Sequence, residues 1–317
     1  VDTTSSAMAV VVDGIKISRG RLAYRIKSKE ETPEEFNPSD IYVTDFEASV
    51  SIRSIDMEQL DIHVNDVSAK EKSGLEISKL SGHVLSDSSR IRVENLLLAL
   101  PNSHLATETV FYDLKTDEFG ISTTDTEIAP SDLIAFLPNL KYLDQPLSLE
   151  ADINGKLPSV TVDKVLLTYG KEAQLEGNAF ITSYEDLANT DLGLTIKKLE
   201  LTPKGIESFA KLGDETFVRP DMLDTLGTIS LQGTVSGKLK DLHLKSSARV
   251  KPGSLQLVAD GRIDTTFTNF AVKANLNTQG FNLVPFVGPD AGIGKLSAHI
   301  DLDANQRGEG TLEAKLK

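Results

Sequence analysis

Apolar and polar residues alternate along most of this chain with a period of two, the spacing of strands that bury one face and wet the other. Ile41, Val43, Ala48, Val50 and Ile52 carry the pattern early, with a slip near Phe46 that predicts a bulge. Leu60, Ile62 and Val64 follow, then Leu75 and Ile77, Ile91 and Val93, and Leu96, Leu98 and Leu100. The middle section repeats the device with Leu147, Leu149, Ala151 and Ile153, then Val160, Val162, Val165, Leu167 and Tyr169. Leu175, Ala179 and Ile181, and Leu192, Leu194 and Ile196, continue it. The last third has Ile229, Leu231 and Val235, then Leu242, Leu244, Leu255, Leu257, Ala259 and Ile263, then Val272, Ala274 and Leu276, and Leu296, Ala298, Ile300 and Leu302.

Between these runs lie short polar turns such as Asn154-Gly155-Lys156, Tyr169-Gly170-Lys171 and Ser236-Gly237-Lys238. Strands joined in this way form an antiparallel meander, here of roughly 16 to 22 strands. Helical material is expected to be scarce and mostly beside prolines: 131–137 after Pro130, 204–212 after Pro203 and 221–226 after Pro220.

The strands recur in units. Residues 149–157 (LEADINGKL) align with 231–239 (LQGTVSGKL), and 296–302 repeat the strand again. Upstream of each lies a proline-marked segment: Ile128-Ala129-Pro130, Leu201-Thr202-Pro203 and Leu283-Val284-Pro285. The reading divides the chain into an N-terminal segment 1–127, repeats 128–200 and 201–282, and a truncated repeat 283–317. A unit of this kind cannot cover its own apolar face, so neighbours must extend one sheet. The last strand stops in mid-pattern, and the chain is expected to be an internal piece of a longer protein.

The expected fold is all-β: an elongated, curved antiparallel β-sheet groove with a few short helices. Alternation alone fits a β-sandwich with a sealed core equally well. Aromatic residues make up only 6% of the chain, few for closing a sandwich, and an extensible repeat favours the open sheet. The inward set expected to line the groove is Val50, Ile52, Ile62, Val64, Leu98, Leu100, Leu149, Ile153, Leu175, Leu194, Ile196, Leu231, Val235, Leu257, Val272, Leu276, Ile300 and Leu302.

Composition narrows the function. A net charge of −14 opposes binding to a phosphate backbone, which needs Lys and Arg, so no nucleic-acid partner is expected. The chain has no cysteine, which excludes disulfides and thiolate metal sites. His63, His83, His104, His243 and His299 are scattered singly, so no metal site, and no cofactor, is expected. Asp301-Leu302-Asp303-Ala304-Asn305 opens like a calcium loop, but Gln306 and Leu312 replace the required Gly and Glu, and the stretch reads better as a strand with a wet acidic face. The glycines of 288–295 miss the phosphate-loop spacing, and Leu296 replaces its Ser or Thr. No nucleophile elbow is present, and no enzymatic activity is expected.

Four phrases in order resemble the AsmA-like superfamily, most closely its TamB-type translocation and assembly module proteins as found in Bacteroidetes. They are Ser73-Gly74-Leu75-Glu76-Ile77 with Leu80-Ser81-Gly82; Val93-Glu94-Asn95-Leu96 running to Leu100-Pro101-Asn102-Ser103-His104-Leu105; Leu226-Gly227-Thr228-Ile229-Ser230-Leu231-Gln232-Gly233 with Val235-Ser236-Gly237; and Thr278-Gln279-Gly280-Phe281-Asn282-Leu283 with Gly294-Lys295-Leu296. Val284-Pro285 departs from the pattern, where that family more often has Gly. The resemblance implies a lipid-holding β-groove in the periplasm, anchored to the inner membrane by a segment outside this chain. It also implies phospholipid or another acyl-chain lipid as cargo, moved between inner and outer membranes in support of outer-membrane assembly, and an outer-membrane barrel partner met through a region outside the chain. The alternative from the residues alone is a non-catalytic structural or adhesive β-repeat scaffold with a sealed core.

Overall fold

The computed structural model describes residues 12–26, 36–55, 59–265 and 268–306, and the backbone of 313–316. Seventeen strands follow one another: β1 Gly14–Arg25, β2 Asp40–Ile55, β3 Gln59–Glu71, β4 Glu76–Asp87, β5 Arg90–Ala99, β6 His104–Asp113, β7 Glu118–Ile128, β8 Leu147–Lys156, β9 Ser159–Tyr169, β10 Ala173–Ile181, β11 Leu192–Leu201, β12 Ile229–Lys238, β13 Asp241–Val250, β14 Gly253–Ile263, β15 Phe270–Asn282, β16 Lys295–Gln306 and β17 Glu313–Leu316. Each pairs antiparallel with the next, from β1–β2 through to β16–β17. The predicted meander and the all-β, open-groove fold class are borne out: one unclosed sheet, with a few short helices.

Tight turns set the meander. Gly237, next to last in β12, takes φ 117°, and a Cβ there would stand 2.2 Å from the Asp241 carbonyl oxygen, so only glycine lets β13 return this closely. Bulges bend the sheet. The slip predicted near Phe46 is real: Asp45 takes φ 50°, and the β2–β3 register shifts between Thr44 and Glu47. Asn95 (φ 51°) and Asp125 (φ 46°) mark similar breaks in β5 and β7. Asn and Asp tolerate this left-handed backbone better than other side chains do.

The three proline-marked segments connect β7 to β8, β11 to β12 and β15 to β16, four strands apart, and all lie along one rim of strand ends. The sheet runs unbroken past residues 128, 201 and 283. The rim carries 3-10 turns at Pro130–Asp132, Pro138–Tyr142 and Pro289–Ala291, and helices α1 Pro203–Gly213, α2 Asp221–Leu226 and α3 Val284–Val287. Thr202 caps α1, its hydroxyl accepting from the Gly205 N–H at 3.0 Å, with Pro203 in the first turn. A Cβ on Gly205 would sit 2.4 Å from the Glu172 carbonyl oxygen, which is how closely α1 settles on the β9–β10 turn.

Here lies the one large, fully buried aromatic side chain among the described residues, Tyr169. Its ring meets Phe209 of α1 edge-on at 5.4 Å. Its hydroxyl donates to Asp144 Oδ1 (2.8 Å) and accepts from the Asp144 N–H (3.0 Å), while Lys204 Nζ donates to Asp144 Oδ2 (2.6 Å). Lys204 and Tyr169 together hold the Asp144 carboxyl below its ordinary range. Elsewhere the buried apolar residues are mostly small ones within the sheet, among them Ala48, Ala151, Ala259 and Ala304.

Among the described residues no second layer closes over the sheet. A compact protein of 34.4 kDa exposes about 12,900 Å², whereas this chain exposes 20051 Å². The excess is larger than the undescribed residues would add as fully extended chain.

Candidate functional site

In an antiparallel ladder, residues directly opposite share a face. Following the ladders from Ile52 gives one unbroken line: Ile52, Ile62, Val84, Val93, Val110, Ile121, Ile153, Val162, Ala179, Leu194, Val235, Leu244, Ala259, Ala274 and Leu302. Every strand from β2 to β16 contributes one apolar residue. At the usual strand spacing this line is about 67 Å long, measured along the sheet. A second line runs beside it through Leu149, Leu167, Leu175, Leu199, Leu231, Ala248 and Leu255.

Seventeen of the eighteen residues expected to line a groove lie on this face, and Leu100 falls one residue past the end of β5. Val50 and Val64 flank Ile52 and Ile62; Leu98 opposes Leu80 and Leu105 in β5; Leu149, Ile153 and Leu175 occupy the middle. Ile196 opposes Gly177 and Gly233, and Leu257, Leu276 and Ile300 stand in one row. Val272 opposes Gly261 and Ala304. From β8 to β16 no charged residue occupies a position on this face.

The face is shielded by its own neighbours yet uncovered. Leu231, Val235, Leu244, Leu257, Ile300 and Leu302 are half-buried, and Leu194 keeps 39% of its surface exposed. In a sealed core such mid-strand residues are inaccessible. The opposite face is polar, as in the row Ser236, His243, Asp260, Lys273 and Asp303. Its ion pairs, such as Lys164–Glu150 at 2.8 Å, are exposed and worth little individually. Asp301 and Asp303 stand on this wet face of β16, Asp301 accepting from Asn275 Nδ2 at 2.8 Å, as the strand reading of that stretch expects.

Residues that alternation did not reveal complete the apolar line. Val110 and Ile121 lie in β6 and β7, where Thr107, Thr109, Thr123, Thr124 and Thr126 replace the hydrophobic alternation. Threonine favours strands through its β-branch without being apolar, so period-two polarity fails there while the strand persists.

The structure also corrects the picture of single histidines. His63 and His83 are direct partners across β3 and β4, with rings stacked at 3.7 Å and 12° apart in plane. Asp61, two residues from His63 on the same polar face, hydrogen-bonds His83 Nε2 at 2.7 Å. That bond is the main cause holding the Asp61 carboxyl below its ordinary range.

Among the described residues no helix is long and apolar enough to cross a membrane. Compared with known proteins, the chain matches no family model, no curated sequence and no solved structure.

Proposed function

We propose that the apolar face is a trough for acyl chains, and that the chain is part of a bridge-like periplasmic protein of the TamB type carrying phospholipid between inner and outer membranes. The observation that carries this reading is the uncharged, half-exposed face running from β8 to β16. A continuous exposed apolar surface of this kind marks an interaction site. An acyl chain costs roughly 0.8 kcal/mol per methylene in water, so a 16-carbon chain costs on the order of 12 kcal/mol. A conduit must keep that chain covered along its whole path. A line of Ile, Val, Leu and Ala on every strand does so without a single dedicated binding residue, and lets cargo slide between equivalent positions. The polar face keeps the other side of the same sheet in water. No catalytic group is required.

The test is to purify the protein without detergent, extract bound lipid, and place a photoreactive residue at Leu194 or at Lys245. Lipid labelling from Leu194 and not from Lys245 is the expected result. Absence of extractable lipid, or equal labelling from both faces, would sink the reading and leave the apolar face as that of a scaffold.

A further inference from the structure

We propose that Asp61, His63 and His83 form a binding site for a divalent transition metal of the zinc class on the polar face of the sheet, with Glu94 as a positioning residue.

The donor set suits such an ion. Two imidazoles and one carboxylate are borderline nitrogen and oxygen ligands, and three protein ligands leave one coordination position open. The donor atoms of Asp61, His63 and His83 all lie within 4.8 Å of one another. Tetrahedral zinc with bonds near 2.1 Å separates its ligand atoms by about 3.4 Å. Here Asp61 Oδ1 stands 2.7 Å from His83 Nε2 and 3.6 Å from His63 Nε2, on either side of that value. The two rings, now stacked 3.7 Å apart and 12° from parallel, must tilt apart so that both Nε2 lone pairs converge on one ion; β3 and β4 already hold the two histidines opposite each other, so side-chain rotation supplies this tilt.

Two further observations point to a ligand. His63 Nε2 is shut off from solvent and has no hydrogen-bond partner among the described residues, although buried polar atoms are nearly always satisfied. It stands beside Asp61 and His83, where an ion would satisfy it. Second, His83 turns its other ring nitrogen, Nδ1, toward Glu94 Oε2 at 3.6 Å, and Glu94 is itself held by Arg92 Nε at 3.0 Å. Without metal His83 Nε2 donates to Asp61; when an ion replaces that proton, Glu94 can draw in to accept from Nδ1–H and favour the tautomer that coordinates through Nε2. The three side chains keep 19–31% of their surface, so an ion has a path from solvent. The bound metal would clamp β3 to β4 on the face opposite the apolar line, independently of what that line carries.

Metal-stripped protein is titrated with Zn2+ at pH 7.5 by calorimetry, with circular dichroism to check the fold of each variant. One saturable equivalent is expected in the parent, lost in His63→Ala/His83→Ala and retained in His243→Ala. Glu94→Gln weakens it about 10- to 100-fold. Co2+ in the unmodified protein supplies a readout that needs no variant: proton resonances of His63 and His83 should shift paramagnetically, and those of His104, His243 and His299 should not. No saturable binding, binding unchanged in the double variant, or cobalt shifts centred on another histidine overturns the proposal.

Discussion

The ring of Phe36 packs on that of Phe136 with centroids 4.5 Å apart, and the Phe36 N–H donates to the Ala135 carbonyl at 3.1 Å. The two residues flank β2 and β7, strands with four others between them. A flat sheet would hold those strands about 24 Å apart; the segments before β2 and after β7 span that distance, so this contact ties the two connections together along one rim of the sheet. An aromatic pair contributes about 0.5–1.5 kcal/mol beyond its buried area. Phe136→Ala should therefore speed amide exchange at Phe36 and residues 133–137, while exchange in β9–β14 stays at the parent rate. A uniform change across the whole sheet would contradict a local tie.

Charges placed on the apolar line separate a trough from a sealed core. Ile153 and Val235 are half-buried and on the uncovered face. Ile153→Asp and Val235→Arg can reach water there, so each should cost about 1–2 kcal/mol by denaturant unfolding, against several kcal/mol for an unpaired charge in a closed interior. Failure of both variants to fold would indicate a covered face.

Tyr169 anchors the rim through its ring and its hydroxyl. Tyr169→Phe keeps the contact with Phe209 and removes both bonds to Asp144, which predicts a loss of about 1–2 kcal/mol in thermal unfolding. Tyr169→Ala removes the ring as well and should cost about 3–5 kcal/mol. Equal effects of the two substitutions would show that the ring contributes nothing.

Asp87 reports on the β4–β5 turn. Its carboxylate accepts from the Ser89 hydroxyl (2.7 Å), the Ser89 N–H (2.7 Å) and the Arg90 N–H (2.8 Å), which lower its pKa from 3.8 to about 2. A carboxyl depressed in the fold stabilises it above the ordinary value and loses that contribution as pH falls from 3.8 toward 2. Carboxyl-carbon NMR should give a midpoint near 2 for Asp87, and Ser89→Ala should move it upward. An unchanged midpoint in that variant would remove the Ser89 hydroxyl as the leading cause.

His243 shifts the other way. Asp260 Oδ1 lies 2.7 Å from its Nδ1, raising the imidazole pKa above 6.5. This pairing stabilises the fold fully below pH 6.5 and is lost as pH rises through the higher folded value. Asp260→Asn should bring the His243 titration back toward 6.5 in proton NMR; a titration that stays put would assign the shift elsewhere.

Much of this architecture was legible because a strand writes its two faces into the sequence. Period two determined which side seventeen of the eighteen predicted residues take, all but Leu100, and the prolines at 130, 203 and 220 marked three of the rim elements. The pattern failed in β6 and β7, where threonine carries strand propensity without apolar contrast. In β1 it is short and interrupted: Ile15 and Ile17, and Leu22 and Tyr24, alternate on either side of a break at Arg19 (φ 55°), and all four remain exposed on an edge. The short helix at Val284–Val287 was visible only as a proline-marked crossing.

What the residues opposite one another are, alternation does not decide. Register depends on turn length and on bulges such as those at Asp45 and Asn95, and each bulge shifts every later pairing in its strand. Register is why Ile52 and Leu302 end one line of fifteen, and why His63 meets His83 with Asp61 beside them. Openness was likewise a tertiary matter: an alternating strand is equally content beneath a second sheet or beneath a passing ligand, because both cover apolar surface at similar gain per unit area. Alternation marks out two chemically distinct faces; only the folded chain leaves the apolar one uncovered.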